Sequence, residues 1–451
     1  MKNDNVRQVA LDVLLKVDKE QAYSNLQLNQ AIQKSQLDGR DIGLLTELVY
    51  GTIQHQLTLD FYLRPFVKKG LNKIERWVLI LLRMSLYQIV YLDKIPERAA
   101  IYEAVQIAKK RGHQGIASMV NGVLRSIQRQ GLPQVEDIQD DAERLSVKYS
   151  HPEWLVKRWI AQYGVAETEA MCKENVTAPH VTIRVNRTQA TKSEVIESLE
   201  AEGVTVHEGH LAPDALVVTK GNVLYTQAFL QGKVTIQDES SMLVALVANP
   251  QPTDTVLDSC AAPGGKTTHL AEQMNGEGQI IALDLHEHKI KLISQLASRL
   301  KLKNIEGRQL DARKTIAEFE PESFDVILVD APCSGFGVIR KKPDLKWSKQ
   351  ESDIEAIAKI QFDILSSVAP LVKKGGTLVY STCTVDKTEN EGTIERFLAS
   401  YPQFELDERL SERLPEQILE KGRLKSGMLT ILPHDFGTDG FFITAMKKQA
   451  T

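Results

Sequence analysis

From about residue 236 onward, short apolar runs suited to strands alternate with amphipathic segments suited to helices, a pattern few folds accommodate. The runs are Thr255–Asp258, Gln279–Leu285, Phe324–Asp330 and Thr377–Thr382. Between the second and third, Ile290, Ile293, Leu296, Ala297 and Leu300 share one face of a helix expected over His286–Lys301. Apolar strands separated by such helices predict a parallel sheet covered on both faces. Ligands of these sheets bind beyond the carboxyl ends of the strands. The residues just past those ends are therefore the candidates for chemistry.

The chain has 451 residues, too many for one typical core, so two or three domains are expected. Residues 1–133 predict helices throughout: Val6, Val9, Ala10, Val13, Leu14 and Val17 line one helical face. Further helices are expected around Leu44–Ile53, Ile74–Leu92, Ala99–Lys110 and Met119–Arg129, ending at Pro133 and the acidic stretch Glu136–Glu143. Residues 144–235 read as a small α+β module, with a helix near Trp154–Tyr163, strands at Val181–Asn186 and Ala215–Thr219, and a helix at Lys192–Glu202. No apolar run reaches the roughly 18 residues of a membrane span, and Met1–Asp4 opens no leader-like core, so a cytoplasmic protein is expected. Residues 1–133 hold 19 Lys and Arg against 12 Asp and Glu, whereas the rest of the chain is acidic. A basic front on an acidic body points to nucleic acid; the competing reading is an ordinary solvated helical surface.

Cys172, Cys260, Cys333 and Cys383 form no C-x-x-C pair, so neither zinc nor a disulfide framework is expected, and no metal is called for. Cys172 lies in a predicted helix and suits a buried apolar role. The other three stand at the ends of apolar runs in Gly- or Pro-rich surroundings. In Val256-Leu257-Asp258-Ser259-Cys260-Ala261-Ala262-Pro263-Gly264-Gly265-Lys266-Thr267 a strand enters a small-residue turn and then a helix. Such a turn brings backbone close to a ligand, and the helix offers unpaired N–H groups. Gly265-Lys266-Thr267 imitates the end of a phosphate-binding loop, but that motif needs glycine where Cys260 stands, and no G-x-G-x-x-G occurs. Asp284 closes the next strand, placed for ribose hydroxyls, and Asp311 follows the third, where a carboxylate suits an adenine amino group. Either aspartate alone would equally suit a helix cap. Together with the turn they favour an adenosine-bearing cofactor. Asp330-Ala-Pro332-Cys333-Ser-Gly335 and Ser381-Thr382-Cys383-Thr384 end the last two strands, so both thiols are expected in one cleft.

The runs Cys-Ala-Ala-Pro-Gly-Gly-Lys-Thr, Asp-Ala-Pro-Cys-Ser-Gly and Ser-Thr-Cys-Thr resemble the motifs of the NOL/NOP2/Sun RNA 5-methylcytosine methyltransferases. Gly337-Val-Ile-Arg340-Lys-Lys-Pro343-Asp-Leu-Lys346-Trp347 and Asp439-Gly440-Phe441-Phe442 fit the same family. The helical front resembles NusB, an RNA-binding factor, and that pairing is the architecture of a bacterial branch acting on small-subunit ribosomal RNA. Ser259, Thr384 and Lys387 depart from the commoner family residues without removing a reacting group. The resemblance implies a Rossmann-like class I S-adenosylmethionine methyltransferase domain over 236–448. An all-α NusB-like domain over 1–133 and the α+β module over 144–235, for RNA binding or linking, would precede it.

It further implies Cys383 as nucleophile toward carbon 6 of cytosine, Asp330 on the cytosine edge and Cys333 in the release step; the residues alone do not rank the two thiols. Thiolate addition suits this chemistry because sulfur both adds and leaves readily, making carbon 5 an enamine carbon that accepts a methyl group. S-adenosyl-L-methionine would meet Cys260, Ala261, Ala262, Pro263, Gly264, Gly265, Lys266, Asp284, Asp311 and Asp330. Lys266 would serve a phosphate or the methionine carboxylate. The basic run Arg340, Lys341, Lys342 and Lys346 is expected to touch RNA backbone. The expected partner is 16S ribosomal RNA, with no membrane, no required protein partner and a monomeric state. The rivals are the same chemistry on transfer RNA, and a non-catalytic ribosome-assembly or antitermination factor.

Overall fold

The computed structural model describes residues 5–20 and 24–450; the Met1–Asp4 segment read for a leader lies outside them. The chain divides into two compact units, Met1–Thr177 with Ile339–Lys349, and Ala178–Val338 with Gln350–Thr451.

The first unit is helical. Helices Val6–Glu20, Ser24–Lys34, Gly39–Gln54, Gln56–Leu63, Arg76–Tyr91, Glu97–Arg111 and Gln114–Gln130 enclose one core. The expected stripe of the first helix is inward, with Val6, Ala10, Val13 and Leu14 buried and Val9 and Val17 at its margin. Every residue from Val78 to Gln88 is buried, so Arg76–Tyr91 is a central core helix rather than a surface one. Its Arg83 forms two 2.7 Å bonds to Asp60, satisfying a buried guanidinium. Partly exposed ion pairs also lie on this unit, Arg76 with Asp18 and Arg111 with Asp12. Among the described residues no helix is long and apolar enough to cross a membrane.

Three more helices, Asp141–Tyr149, Glu153–Tyr163 and Val165–Asn175, belong to this unit, so the module expected over 144–235 is divided between units. The reason is local: Leu155, Val156 and Trp159 are fully buried. Thr58 Oγ1 donates to the Val147 carbonyl at 2.6 Å, and Ser150 Oγ accepts from Leu57 N–H at 2.9 Å. Cys172 is buried in the last helix, its thiol pushed up to about 12 by desolvation.

The Ile339–Lys349 segment closes a helix end. The last carbonyls of Gly39–Gln54 have no partner within the helix. Trp347 Nε1 donates to the Ile53 carbonyl and Lys346 Nζ to the Gln54 carbonyl, both at 2.9 Å. A cation there also complements the helix dipole. Arg340 is buried against Glu174. Of the basic run expected to meet RNA, Arg340 and Lys346 are thus interior, Lys341 is half-buried, and Lys342 alone is exposed. The sequence shows four cations within seven residues but not the helix end that consumes one and the carboxylate that consumes another.

Burial drives Lys346 down from 10.5 to about 7. A lysine whose folded pKa is depressed opposes folding fully below about pH 7, and that penalty fades as pH rises toward 10.5. The stability of Lys346→Met relative to the parent in urea unfolding is therefore expected to be greater near pH ~6.5 than near pH ~9. An equal difference at both pH values would show that the folded lysine titrates normally.

The second unit begins with a small antiparallel sheet. Its strands are β1 (Val181–Val185), β2 (Thr205–Glu208), β3 (Ala215–Lys220) and β4 (Val234–Ile236), in order β2-β3-β1-β4. Arg184 of β1 is fully buried and bonds to Glu272 at 2.7 and 2.9 Å, Thr268 Oγ1 at 3.1 Å and the Gly265 carbonyl at 2.8 Å, with Gln237 as a further partner. Removing one partner of a buried ion pair leaves the other uncompensated, so Arg184→Met is expected to destabilise by about 3–5 kcal/mol. Denaturant unfolding checks it; a loss below about 1 kcal/mol would mean that Glu272 finds another partner or a proton.

The large sheet follows: β5 (Thr255–Asp258), β6 (Gln279–Asp284), β7 (Ile305–Gln309), β8 (Phe324–Asp330), β9 (Val372–Thr382), β10 (Phe404–Leu406), β11 (Leu424–Lys425), β12 (Met428–Ile431) and β13 (Phe441–Lys448). Its order is β11-β12-β13-β9-β8-β5-β6-β7, with β10 on β13. The expectation of a parallel sheet holds for β5 to β9 and fails beyond, because β13 runs antiparallel between β9 and β12. The β12–β13 link is too short for the crossover that a parallel pair needs. Side chains alternate between the faces: Val256, Ile280, Val326, Leu328 and Val379 enter one core, and Leu257, Ile281, Ile327, Val329 and Leu378 the other. Strand order reverses at β5, between β6 and β8, which opens a crevice at the carboxyl ends.

Candidate active site

The turn after β5 is tied to both neighbouring strands. Ser259 N–H donates to the Leu328 carbonyl at 2.9 Å and Ala261 N–H to the Leu283 carbonyl at 2.8 Å. Asp258 is wholly buried, accepts from Thr267 Oγ1 at 2.7 Å, and is pushed up to about 7 chiefly by desolvation. The Ala262–Pro263 bond is cis, and Gly264 has φ +106°, where an L side chain is strained. Helix Gly265–Gln273 starts there with no side-chain cap, and a Cβ at Gly265 would meet nothing within 4 Å. The turn thus presents open space and an uncapped helix N-terminus, features that fit a carboxylate-bearing nucleoside cofactor.

Asp284 closes β6, accepts from His286 N–H at 3.2 Å and lies 3.6 Å from Lys289 Nζ. Asp311, after β7, caps the turn Ala312–Ala317 and pairs with Arg313 at 2.7 Å, which holds its carboxyl below the usual range. Cys260 is half-buried against the sheet core, its thiol pushed up by desolvation.

Lys266 points neither to a helix end nor to a phosphate cradle. Its Nζ lies 2.7 Å from Asp330 Oδ2 and 5.1 Å from the Phe441 ring centre. Burial lowers its pKa, but attraction to Asp330 and to Cys383 outweighs that and leaves it raised. Asp330 Oδ1 accepts from Ser381 Oγ at 2.8 Å. β8 and β9 are parallel neighbours, so their ends bring Asp330, Cys333 and Cys383 together. Cys333 Sγ and Cys383 Sγ are 3.3 Å apart, and the Cys333 thiol is pushed well up, first by that contact and then by burial. Both sulfurs are half-buried. Among the described residues no group of His, Cys, Asp and Glu is spaced to hold a metal ion.

Two participants escaped the sequence reading. Glu389 is fully buried, takes Ser334 N–H at 2.9 Å and Gln361 Nε2 at 3.0 Å, and is pushed up to about 7 by desolvation. Gln361 Nε2 also donates to the Pro332 carbonyl at 3.0 Å. The run Glu389-Asn390-Glu391 reads as a solvated charge cluster, and its only local signal is its place just past Cys383.

Residues 245–447 match the family described as 16S rRNA methyltransferase RsmB/F, residues 4–129 the NusB family, and residues 151–224 the ferredoxin-like domain of RsmF/B-like methyltransferases. The chain is 53% identical to the Probable ribosomal RNA small subunit methyltransferase B of Bacillus subtilis (strain 168), with 100% of both chains covered. It is 34% identical to the Ribosomal RNA small subunit methyltransferase B of Serratia proteamaculans (strain 568), again over 100% of both. The crystal structure of PH0851 superposes with TM-score 0.80 at 29% identity, covering 99% of this chain and 100% of that one. NSun6 from Pyrococcus horikoshii with SFG superposes with TM-score 0.60 at 24% identity, over 66% of this chain and 98% of that one, a likeness of fold.

Proposed function

The chain belongs to the RsmB/F family of 16S rRNA methyltransferases, and we propose that it methylates carbon 5 of one cytosine in small-subunit ribosomal RNA, with Cys383 as nucleophile. The observation that carries this reading is the 3.3 Å approach of two strand-end thiols beside the Lys266–Asp330 pair. A lone buried cysteine is usually an apolar filler, whereas paired thiols beside a half-buried ammonium are equipped for nucleophilic work.

S-adenosyl-L-methionine, when bound, supplies an electrophilic methyl group. The uncapped N-terminus of helix Gly265–Gln273 would take its carboxylate, Asp284 its ribose hydroxyls and Asp311 its adenine amino group, with Cys260, Ala261, Ala262, Pro263 and Gly264 shaping the floor. Asp330 faces both the cofactor side, through Lys266, and the base side, through Ser381.

The two thiols play different parts. Cys333, its pKa raised by the sulfur contact, keeps its proton and donates it toward Cys383. Cys383 then carries the anion, favoured by the Lys266 ammonium. As its sulfur bonds to carbon 6, the proton that Cys383 gave up passes through Asp330 on the cytosine edge to ring nitrogen 3, and carbon 5 becomes the nucleophile that accepts the methyl group. Once Cys383 is bonded to carbon its charge no longer raises Cys333, which yields its proton to solvent. The resulting thiolate takes the carbon 5 proton, the 5,6 double bond re-forms, and the bond to Cys383 breaks. The proton on ring nitrogen 3 returns through Asp330 to the Cys383 sulfur. The base must be unstacked for both ring faces to be reached, so a loop or unpaired segment is the expected target.

Bisulfite sequencing of ribosomal and transfer RNA from cells with and without the gene tests the substrate. Loss of one small-subunit cytosine mark is the expected result. Loss of a transfer RNA mark alone would move the substrate assignment, and no loss would favour a non-catalytic role.

A further inference from the structure

Cys333 sits in a loop, 331–335, that has no secondary structure of its own. Three bonds join that loop and its continuation to the end of β9: Ala331 N–H to the Ser381 carbonyl at 2.9 Å, Ser334 Oγ to Thr384 Oγ1 at 2.8 Å, and Gly337 N–H to the Cys383 carbonyl at 2.9 Å. The peptide groups on either side of the thiol are held differently. The Pro332 carbonyl is held by Gln361 of helix Glu351–Val368, and the Ser334 N–H by Glu389. Gln361 Nε2 and Glu389 Oε2 are themselves 3.0 Å apart, so the two grips form one continuous arch around Cys333. Tyr380 OH fixes the arch from below by donating to the Glu389 carbonyl at 2.7 Å.

We infer that Glu389 and Gln361 are positioning residues that hold the Cys333 sulfur at its working distance from Cys383, and that they govern release of the methylated base rather than its methylation. This rests on the proposed cysteine chemistry. Burial with an unpartnered second oxygen makes the charged carboxylate costly, so the role suited to Glu389 is that of a neutral acceptor holding the loop. Desolvation also favours the protonated acid, which spares the neighbouring sulfur a repelling charge.

The test is turnover of a small-subunit RNA fragment, followed by a denaturing gel for protein–RNA adduct. Glu389→Leu keeps the volume and removes the acceptor. Turnover is expected to fall ~10–100-fold, the scale set by a misplaced reacting group. Adduct should accumulate, and the KM for RNA should stay within about twofold because no RNA contact is lost. Glu389→Gln, whose amide oxygen still accepts both bonds, is expected to restore release. Gln361→Leu cuts the Pro332 arm and should also accumulate adduct, so it carries the test if Glu389→Leu fails to fold. Folded variants that turn over without accumulating adduct would overturn the inference. A parent protein giving neither methylation nor a Cys383-dependent adduct would instead overturn the cysteine chemistry.

Discussion

Alanine at Cys383 is expected to lower methyl transfer by at least about four orders of magnitude, while S-adenosylmethionine and RNA still bind. The size follows from the part proposed for the sulfur. Without addition at carbon 6, carbon 5 remains part of an aromatic ring and is a poor partner for any methyl donor. No nearby group can substitute: Asp330 is engaged by Lys266 and Ser381, and Cys333 sits on a different loop with its own grips. Tritium transfer under single-turnover conditions measures the loss, and cofactor binding by calorimetry shows that the fold persists. Residual activity above about one per cent of the parent would assign the nucleophile elsewhere.

Alanine at Cys333 should give a different failure. In the proposed sequence addition and methyl transfer precede the step that needs this thiol, so one methyl group per protein is expected to transfer and then remain. Steady-state turnover should fall by roughly two to three orders of magnitude, the usual scale for losing a proton-transfer group. A protein–RNA species should survive denaturing electrophoresis and disappear on nuclease treatment. Replacing both cysteines removes that species if Cys383 forms the bond. Were the adduct instead to accumulate in Cys383→Ala and vanish in Cys333→Ala, the two roles would be exchanged.

The strand ends were legible in the sequence because chemistry there is written in short runs: an acid, a proline or glycine, and a thiol at the end of an apolar segment. Asp330, Cys333 and Cys383 meet because β8 and β9 are adjacent, which strand succession already suggested. What lay hidden depends on partners far along the chain. Lys266 shows its place on the cofactor turn but not that its ammonium reaches Asp330, 64 positions away. Arg340 and Lys346 read as contacts for RNA backbone until Glu174 and the Gln54 carbonyl are placed beside them. Glu389 stands in a polar run, where local composition predicts exposure, yet tertiary packing buries it completely. The reversal of β13 was also unreadable, since an apolar strand carries no mark of its direction.

Arg184 bears on how such a protein can be inherited. Its guanidinium belongs to the small sheet, but its partners Glu272, Thr268 and the Gly265 carbonyl belong to the helix that follows the cofactor turn. A recombination event that separated residues 178–235 from the remainder would strand a carboxylate in the interior and loosen the first turn of that helix. The two pieces are therefore expected to travel through evolution, or through an engineer's chimera, as one cassette. A graft that begins at residue 236 would carry every proposed reacting group and still lack the brace on the helix whose N-terminus is proposed to meet the methyl donor.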